Sequence, residues 1–237
     1  QKFAHIVEAH GISFIGPSAE HIGLMGDKIT AKITAEKLGI PTVPGSDGEV
    51  MDLDFARSEA ERIGFPLIIK AAAGGGGRGM KVVSDKKDLE EAFNTARREA
   101  QMAFGNGAVY MERYLQKPRH IEIQVIGDGL GSGLHLGERD CSLQRRHQKI
   151  LEEAPSVCLN NNQRDEIGAI CAKAIGELKY RGVGTIEFLY EDGSFFFIEM
   201  NTRLQVEHPV TEAIFNIDLV KEQIRIAAGL GISFTQD

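Results

Sequence analysis

The run GTIEFLYEDGSFFFIE, Gly184 to Glu199, constrains the fold of this chain more than any other stretch. Two apolar segments flank Asp192-Gly193-Ser194, whose residue types favour tight turns, so the run reads as a β-hairpin. With those three residues as the loop, parity places Glu187 opposite Glu199 and Leu189 opposite Phe197. The other face then carries Ile186, Phe188, Tyr190, Phe196, Ile198 and Met200, an apolar surface suited to a core. A two-residue turn would instead put the two glutamates on opposite faces. Carboxylates that face each other across a ladder repel, so a cation is expected between them. Oxygen donors suit a hard divalent ion such as Mg²⁺ or Mn²⁺. The competing reading is a surface hairpin with two solvated acids. Directly after it runs EMNTRLQVEHPV, Glu199 to Val210, which concentrates acids, an arginine, amides and a histidine in one short segment.

The 237 residues suffice for one large domain or two small ones. A hydrophobic content of 42% with 26% charged residues is ordinary for a soluble globular chain. A formal charge of −7 argues against a nucleic-acid partner, whose affinity would come from a basic surface. Cys141, Cys158 and Cys171 show no metal-type spacing and read as reduced thiols in a reducing compartment. No apolar run is long enough for a membrane span and no signal peptide is visible. The chain begins at Gln1 and is expected to be a piece of something longer.

Residues 1–17 read as helix, turn and strand, the strand at Ile12 to Ile15. Helices are expected over Asp27 to Leu38, Phe55 to Ile63, Asp88 to Phe104, Arg164 to Tyr180 and Leu219 to Ala228. Strands are expected at Pro66 to Lys70, Met80 to Val83, Val109 to Tyr114, Ile121 to Ile126 and Leu134 to Gly137. A small unit at about 42–113 would lie between two halves of a larger one, in an α+β arrangement.

Between the first two of those strands lies AAAGGGGRG. Its G-x-G-x-x-G spacing lacks the following helix that a dinucleotide fold needs, and no Gly-Lys-Ser/Thr makes it a Walker loop. What remains is a glycine loop with Lys70 at its base and Arg78 near its end. Side-chain-free amides there can close over phosphates, against the alternative of a mobile surface loop. The stretch Glu138 to Ser156 carries Arg139, Arg145, Arg146, His147 and Lys149 among acids; it is either a solvated face or part of the same site. His135 with Glu138 makes no zinc site, because nothing completes the spacing.

Taken together, Lys70 with its GGGGRG loop, ERDCSLQRRHQK, the glutamate pair and EMNTRLQVEHPVTE resemble the biotin carboxylases, an ATP-grasp family. The similarity runs from about Phe14 to Ala228. It implies an α+β ATP-grasp fold. Residues 1–41 would be the end of an N-terminal αβ domain with a connecting helix, 42–113 a lid with the glycine flap, and 114–237 the part holding metal, bicarbonate and base. The family uses MgATP to phosphorylate bicarbonate, and the CO₂ from carboxyphosphate then carboxylates a ureido nitrogen of biotin. By matching positions, Lys28 and Lys70 would contact ATP phosphates, with Gly74, Gly75, Gly76, Gly77 and Gly79 in the flap. Glu112, Arg113 and Leu115 would frame the adenine edge, Leu189 its face, and His120, Gln144 and His147 the ribose and phosphate side. Glu187 and Glu199 would hold Mg²⁺ or Mn²⁺, with Asn201 assisting. Lys149, Arg203, Gln205 and Val206 would hold bicarbonate, and Glu207 would deprotonate it, with Lys149 and Arg203 beside it in the catalytic set.

The implied partners are a biotin carboxyl carrier protein or domain, a carboxyltransferase component and a second copy of the enzyme. Neither nucleic acid nor membrane is among them. The implied setting is a bacterial cytoplasm or an organellar matrix or stroma, with acetyl-CoA carboxylase and fatty acid synthesis as the expected context. Arg113 stands where many relatives carry Lys, and Ala72 where a hydroxyl is common. Of the family's first αβ domain only the end, residues 1–26, is represented, and the later C-terminal part is missing. Another ATP-grasp ligase, of carbamoyl-phosphate or amino-acid type, and a non-catalytic nucleotide-binding module are the alternatives; RLQVEHPV with QRRHQK favours bicarbonate and biotin.

Overall fold

The computed structural model describes residues 1–73, 79–146 and 148–236. They divide into two units, a smaller one of Val43–Lys117 and a larger one of Gln1–Thr42 with Pro118–Asp237. The chain opens with helices α1 (Lys2–Ala9), α2 (Ala19–Gly26) and α3 (Lys28–Lys37). The smaller unit follows with α4 (Leu53–Ile63), β1 (Leu67–Ala71), β2 (Met80–Val83), α5 (Leu89–Phe104) and β3 (Val109–Arg113). The larger unit resumes with β4 (Arg119–Asp128), β5 (Gly133–Arg145), β6 (Gln148–Glu153) and α6 (Asn161–Glu177). It ends with β7 (Arg181–Glu191), β8 (Ser194–Asn201), α7 (His208–Phe215) and α8 (Leu219–Ala227).

Helix starts are written into the sequence. Ser18, Asp27, Asp52, Asn160 and Asp218 each accept a hydrogen bond from the backbone N–H three residues on, which satisfies a donor the helix itself leaves open. In the smaller unit the sheet order is β2-β1-β3, all antiparallel. Leu89, Phe93, Ala96 and Ala100 recur every three or four residues along α5 and bury one stripe of it against Leu67, Ile69, Val83 and Met111.

The larger unit is built on a five-stranded antiparallel sheet in the order β6-β5-β4-β7-β8. Alternation along β4 sends Ile121, Ile123 and Val125 to one face. There they meet Ile186 and Phe188 of β7, Phe197 and Met200 of β8, Ile167, Cys171 and Ala174 of α6, and Ala31 and Ala35 of α3. Each large side chain in this layer contributes roughly 1.5–3 kcal/mol by leaving water. The opposite face starts apolar, with Ile126, Leu136 and Val183 under Leu219 and Ile226 of α8. It then turns polar through Gln124, Thr185 and Arg139 and becomes charged at Glu122 and Glu187, all buried.

The hairpin that opened the sequence reading is built differently from its expected form. Its turn has two residues, Asp192 and Gly193, with φ of 50° and 81°. Positive φ at both is the turn hand that matches strand twist, and Asp-Gly tolerates it. Leu189 therefore faces Phe196, not Phe197. The register then shifts between Phe188↔Phe197 and Glu187↔Glu199, which leaves Ile198 as the extra residue of a β-bulge. That bulge restores the pairing of Glu187 with Glu199 that the short turn would have destroyed. It also switches parity along β8: near the turn, Phe195 and Phe197 face the core in place of Phe196 and Ile198.

Other expectations need correction. Ile12 to Ile15 forms no strand. The strand expected at Leu134 to Gly137 lies at the start of the 13-residue β5. The charged stretch after it continues β5 and turns into β6, with Glu138, Arg139 and Asp140 buried, so that part is no solvated face. Helices α2 and α7 were not anticipated; the second starts inside EHPVTE and runs on to Phe215, with proline in its first turn.

Candidate active site

Lys149 is the centre of the charged end of the sheet. It stands on β6 across from Gln144, and its Nζ donates to three carboxylates: Glu122, Glu187 Oε1 at 2.9 Å and Glu207 Oε1 at 2.6 Å. Three ammonium protons thus meet three acids from β4, β7 and the start of α7. Burial would make the ammonium more acidic, but the charges of Glu122 and Glu187 and the hydrogen bonds it donates to Glu122 and Glu207 hold it above its ordinary range.

Glu187 is the most heavily engaged acid. Its Oε1 also accepts from Asn201 Nδ2 at 2.8 Å and Gln205 Nε2 at 3.1 Å. His120 Nε2 lies 3.1 Å from Oε2, close enough for charge attraction but outside hydrogen-bond alignment. Burial alone would raise this carboxyl; His120 and Lys149 outweigh it and hold the pKa at about 2. Glu207 behaves alike: burial raises it, and the Lys149 hydrogen bond with backbone donation brings it below the usual carboxylate range. Glu207 caps α7 without using its side chain on the helix, so the carboxylate is available to Lys149.

Beneath this group Arg139 is fully buried. Its Nε donates to Glu122 Oε1 at 2.6 Å, Nη1 to Gln124 Oε1 at 2.7 Å and Thr211 Oγ1 at 2.8 Å, and Nη2 to Gln205 Oε1 at 3.2 Å and Thr185 Oγ1 at 3.3 Å. All five guanidinium protons have acceptors, as a buried charge requires. Gln124 in turn donates to the Gly184 carbonyl at 2.8 Å.

Of the residues singled out in the sequence, Glu187, Glu199, Asn201, Gln205, Glu207, Lys149, His120 and Leu189 share this region of the larger unit. Leu189 pairs across the ladder with His120, and Gln144 donates to the Cys141 carbonyl at 2.9 Å. Arg203 is exposed and donates to Asn201 Oδ1 at 3.2 Å; Val206 is 92% exposed, so only its backbone can serve a ligand. Lys28 is the first residue of α3. In the smaller unit, Lys70 donates to Glu112 Oε2 at 2.6 Å, and Leu115 is buried while Arg113 is exposed at the end of β3. Gly79 has φ of 71°, a conformation for which glycine is suited. Gly74 to Gly77 and His147 lie outside the described residues.

Sequence reasoning missed Glu122, Gln124, Thr211 and the depth of Arg139. The signal was present in IEIQV, Ile121 to Val125, where polar residues alternate with apolar ones in a strand that is buried on both faces. The carboxylates fit a hard cation. Glu187 and Glu199 pair across the ladder beside the Asn201 amide, and Glu199 makes no ion pair among the described residues. Two groups, His120-Glu122-Glu187 and Glu122-Cys141-Glu207, also gather potential donor atoms within 4.8 Å.

Residues 27–234 match the family model described as carbamoyl-phosphate synthase L chain, ATP binding domain. The chain is 58% identical to a biotin carboxylase of Haemophilus influenzae and 54% identical to one of Pseudomonas aeruginosa. Each alignment covers 99% of this chain and 53% of the relative, so the chain spans about half the length of the relatives it matches. A crystal structure of the biotin carboxylase domain dimer of Hydrogenobacter thermophilus 2-oxoglutarate carboxylase, in complex with MgADP, ADP and bicarbonate, superposes with a TM-score of 0.92. It is 49% identical, and the match covers 99% of this chain and 52% of that one. The chain therefore belongs to the carbamoyl-phosphate synthase L chain ATP-binding family, and its fold is the ATP-grasp fold of the biotin carboxylases.

Proposed function

We propose that this chain carries the ATP-dependent step in which bicarbonate is activated and biotin carboxylated. The observation that carries the reading is Lys149 held among Glu122, Glu187 and Glu207. A cation that already gathers carboxylates can hold a small anion next to one of them. Bicarbonate would sit against Lys149, Arg203, Gln205 and the Val206 backbone, and Glu207 would take its proton. Because Lys149 keeps Glu207 ionised, the base is ready at neutral pH. A divalent cation on Glu187, Glu199 and Asn201 would neutralise the phosphate oxygens of ATP. Lys28, Lys70, Glu112, Arg113, Leu115, His120, Gln144, His147 and Leu189 would hold the nucleotide, with the 74–79 glycine run as flap and residues 42–113 as lid. The co-complex of MgADP and bicarbonate in the 2-oxoglutarate carboxylase domain supports both ligand assignments.

A biotinylated carrier, a carboxyltransferase component and a second copy of the chain are the proposed partners. A soluble, reducing setting agrees with three free cysteines and with the lack, among the described residues, of any helix long and apolar enough to cross a membrane. Acetyl-CoA as final acceptor, and with it fatty acid synthesis, extends the resemblance and rests on no residue of this chain. The test is phosphate release from MgATP with and without bicarbonate and free biotin. Release that needs bicarbonate and rises with biotin supports the full reaction. Bicarbonate-dependent release indifferent to biotin restricts the chain to the first step. Release stimulated by an amino acid instead of bicarbonate would favour another ATP-grasp ligase.

A further inference from the structure

We propose that Arg139 is a positioning residue for the anion site. Its guanidinium ties the segment that carries Gln205 and Glu207 to the sheet that carries Glu122 and, through Glu122, Lys149. The proposal rests on the bicarbonate reading above for the identity of the anion, and on geometry alone for the tie.

Arg139 is 0% exposed, so no ligand can reach it. Its five donors end on four separate segments: Glu122 and Gln124 on β4, Thr185 on β7, Gln205 in the loop after β8, and Thr211 in α7. A guanidinium is planar and rigid, so these bonds fix angles as well as distances. Only one of the five acceptors is charged. A residue that merely neutralised Glu122 would have no use for the other four.

Two of those acceptors bracket the proposed base. Gln205 precedes Glu207 by two residues. Thr211 follows it by four, which puts both on one side of the first turn of α7. Glu207 receives no side-chain restraint from its own helix, so its placement depends on where α7 and the loop are held. Gln205 is also shared: its Oε1 accepts from Arg139 while its Nε2 donates to Glu187. The same guanidinium holds Glu122, which holds Lys149. Arg139 thereby sets both members of the Lys149–Glu207 contact without touching either.

Two variants separate this from a role in stability alone. Thr211→Val removes one acceptor and leaves the shape; Arg139→Lys keeps the charge and loses the fork. Bicarbonate affinity would be measured by ¹³C NMR titration, MgADP affinity by calorimetry, and amide hydrogen exchange over residues 203–211, all well below each melting temperature. The loss of one hydrogen bond to a charged group predicts roughly tenfold weaker bicarbonate binding for Thr211→Val, with MgADP affinity within about twofold of the parent. Exchange over 203–211 should rise about tenfold while β4 and β7 keep their protection. Arg139→Lys should exceed both effects; if it does not fold, Thr211→Val decides by itself. Parental bicarbonate affinity and parental exchange in a folded variant, with only the melting temperature lowered, would overturn the proposal. A parent chain that binds no bicarbonate would count against the proposed function, and the exchange result would still decide the tie.

Discussion

Replacement of Lys149 by methionine removes the one cation shared by Glu122, Glu187 and Glu207 and leaves the local volume nearly unchanged. One-sided loss of a buried ion pair costs about 3–5 kcal/mol, because the remaining charge is buried without compensation. The lower end applies here. Glu122 keeps Arg139, and Glu187 keeps the Asn201 and Gln205 amides with His120 close by. Glu187 and Glu207 both lose their charged hydrogen-bond partner, and Glu207 is left with no side-chain hydrogen bond among the described residues. We therefore expect a loss of about 3 kcal/mol at neutral pH. The pH dependence has a definite sign. In the parent, Glu187 and Glu207 lie below the ordinary 4.5, so their contribution is present above that value and fades as pH falls through the folded pKa. Removing Lys149 takes away the main lowering at Glu207 and part of it at Glu187, which keeps His120, so the stability these groups add above 4.5 shrinks in the variant. The deficit should be wide at neutral pH and narrow near pH 3, below the ordinary 4.5 and close to the folded pKa of Glu187. Urea unfolding followed by circular dichroism at both pH values measures it. Millimolar MgCl₂ should return part of the neutral-pH loss, because a divalent ion binds the vacated carboxylates only in the folded chain. A variant as stable as the parent, or one with the same deficit at both pH values, would refute the charge-balance reasoning.

Glu207→Gln should abolish bicarbonate-dependent phosphate release while nucleotide binding, followed by calorimetry, stays at the parental level; undiminished turnover would remove Glu207 from the role of base. Lys70→Ala should weaken ATP binding about tenfold or more, the value of a lost charge-assisted contact, and an unaltered affinity in the same titration would count against a phosphate role. The parent chain should lose stability as pH falls from about 4.5 toward 2. The Glu187 shift alone is worth roughly 3 kcal/mol, since each pKa unit is about 1.4 kcal/mol. Acid titration of the Glu187→Gln variant, which lacks that carboxylate, should show a correspondingly flatter acid limb.

Much of the candidate site was legible because motif positions survive any error in the strand that carries them. The pairing of Glu187 with Glu199 was read correctly from an incorrect turn. A three-residue loop and a two-residue loop followed by a one-residue bulge differ by no net residue beyond Ile198, so parity counted from the turn gives the same partner for Glu187. It fails in between, which is why Leu189 and the phenylalanines were misassigned. A bulge has no strong local signature in FFFIE, where every residue before the acid is apolar and either face would accept it. The stretch around Arg139 was illegible for another reason. Charged residues in a strand look solvated unless the partner strand is known to supply acceptors, and those acceptors come from β4, β7 and α7, far away in sequence. Helix α7 was hidden for a similar cause, since its start is capped by backbone and proline geometry and not by a Ser, Asp or Asn side chain.

The gradient along the polar face of the large sheet explains how so many charges can be buried in one place. At one end α8 covers Ile126 and Val183, and that apolar packing anchors the strands. In the middle, Gln124, Thr185, Gln205 and Thr211 are neutral, and their role is to complete the hydrogen bonding of Arg139. Only beyond that layer do the acids appear, and Glu122, Glu187 and Glu207 there share the Lys149 ammonium. The pKa depression of Glu187 is therefore a property of its position on the ladder, which the register of β4, β7 and β8 sets, while that of Glu207 comes from the Lys149 hydrogen bond at the start of α7.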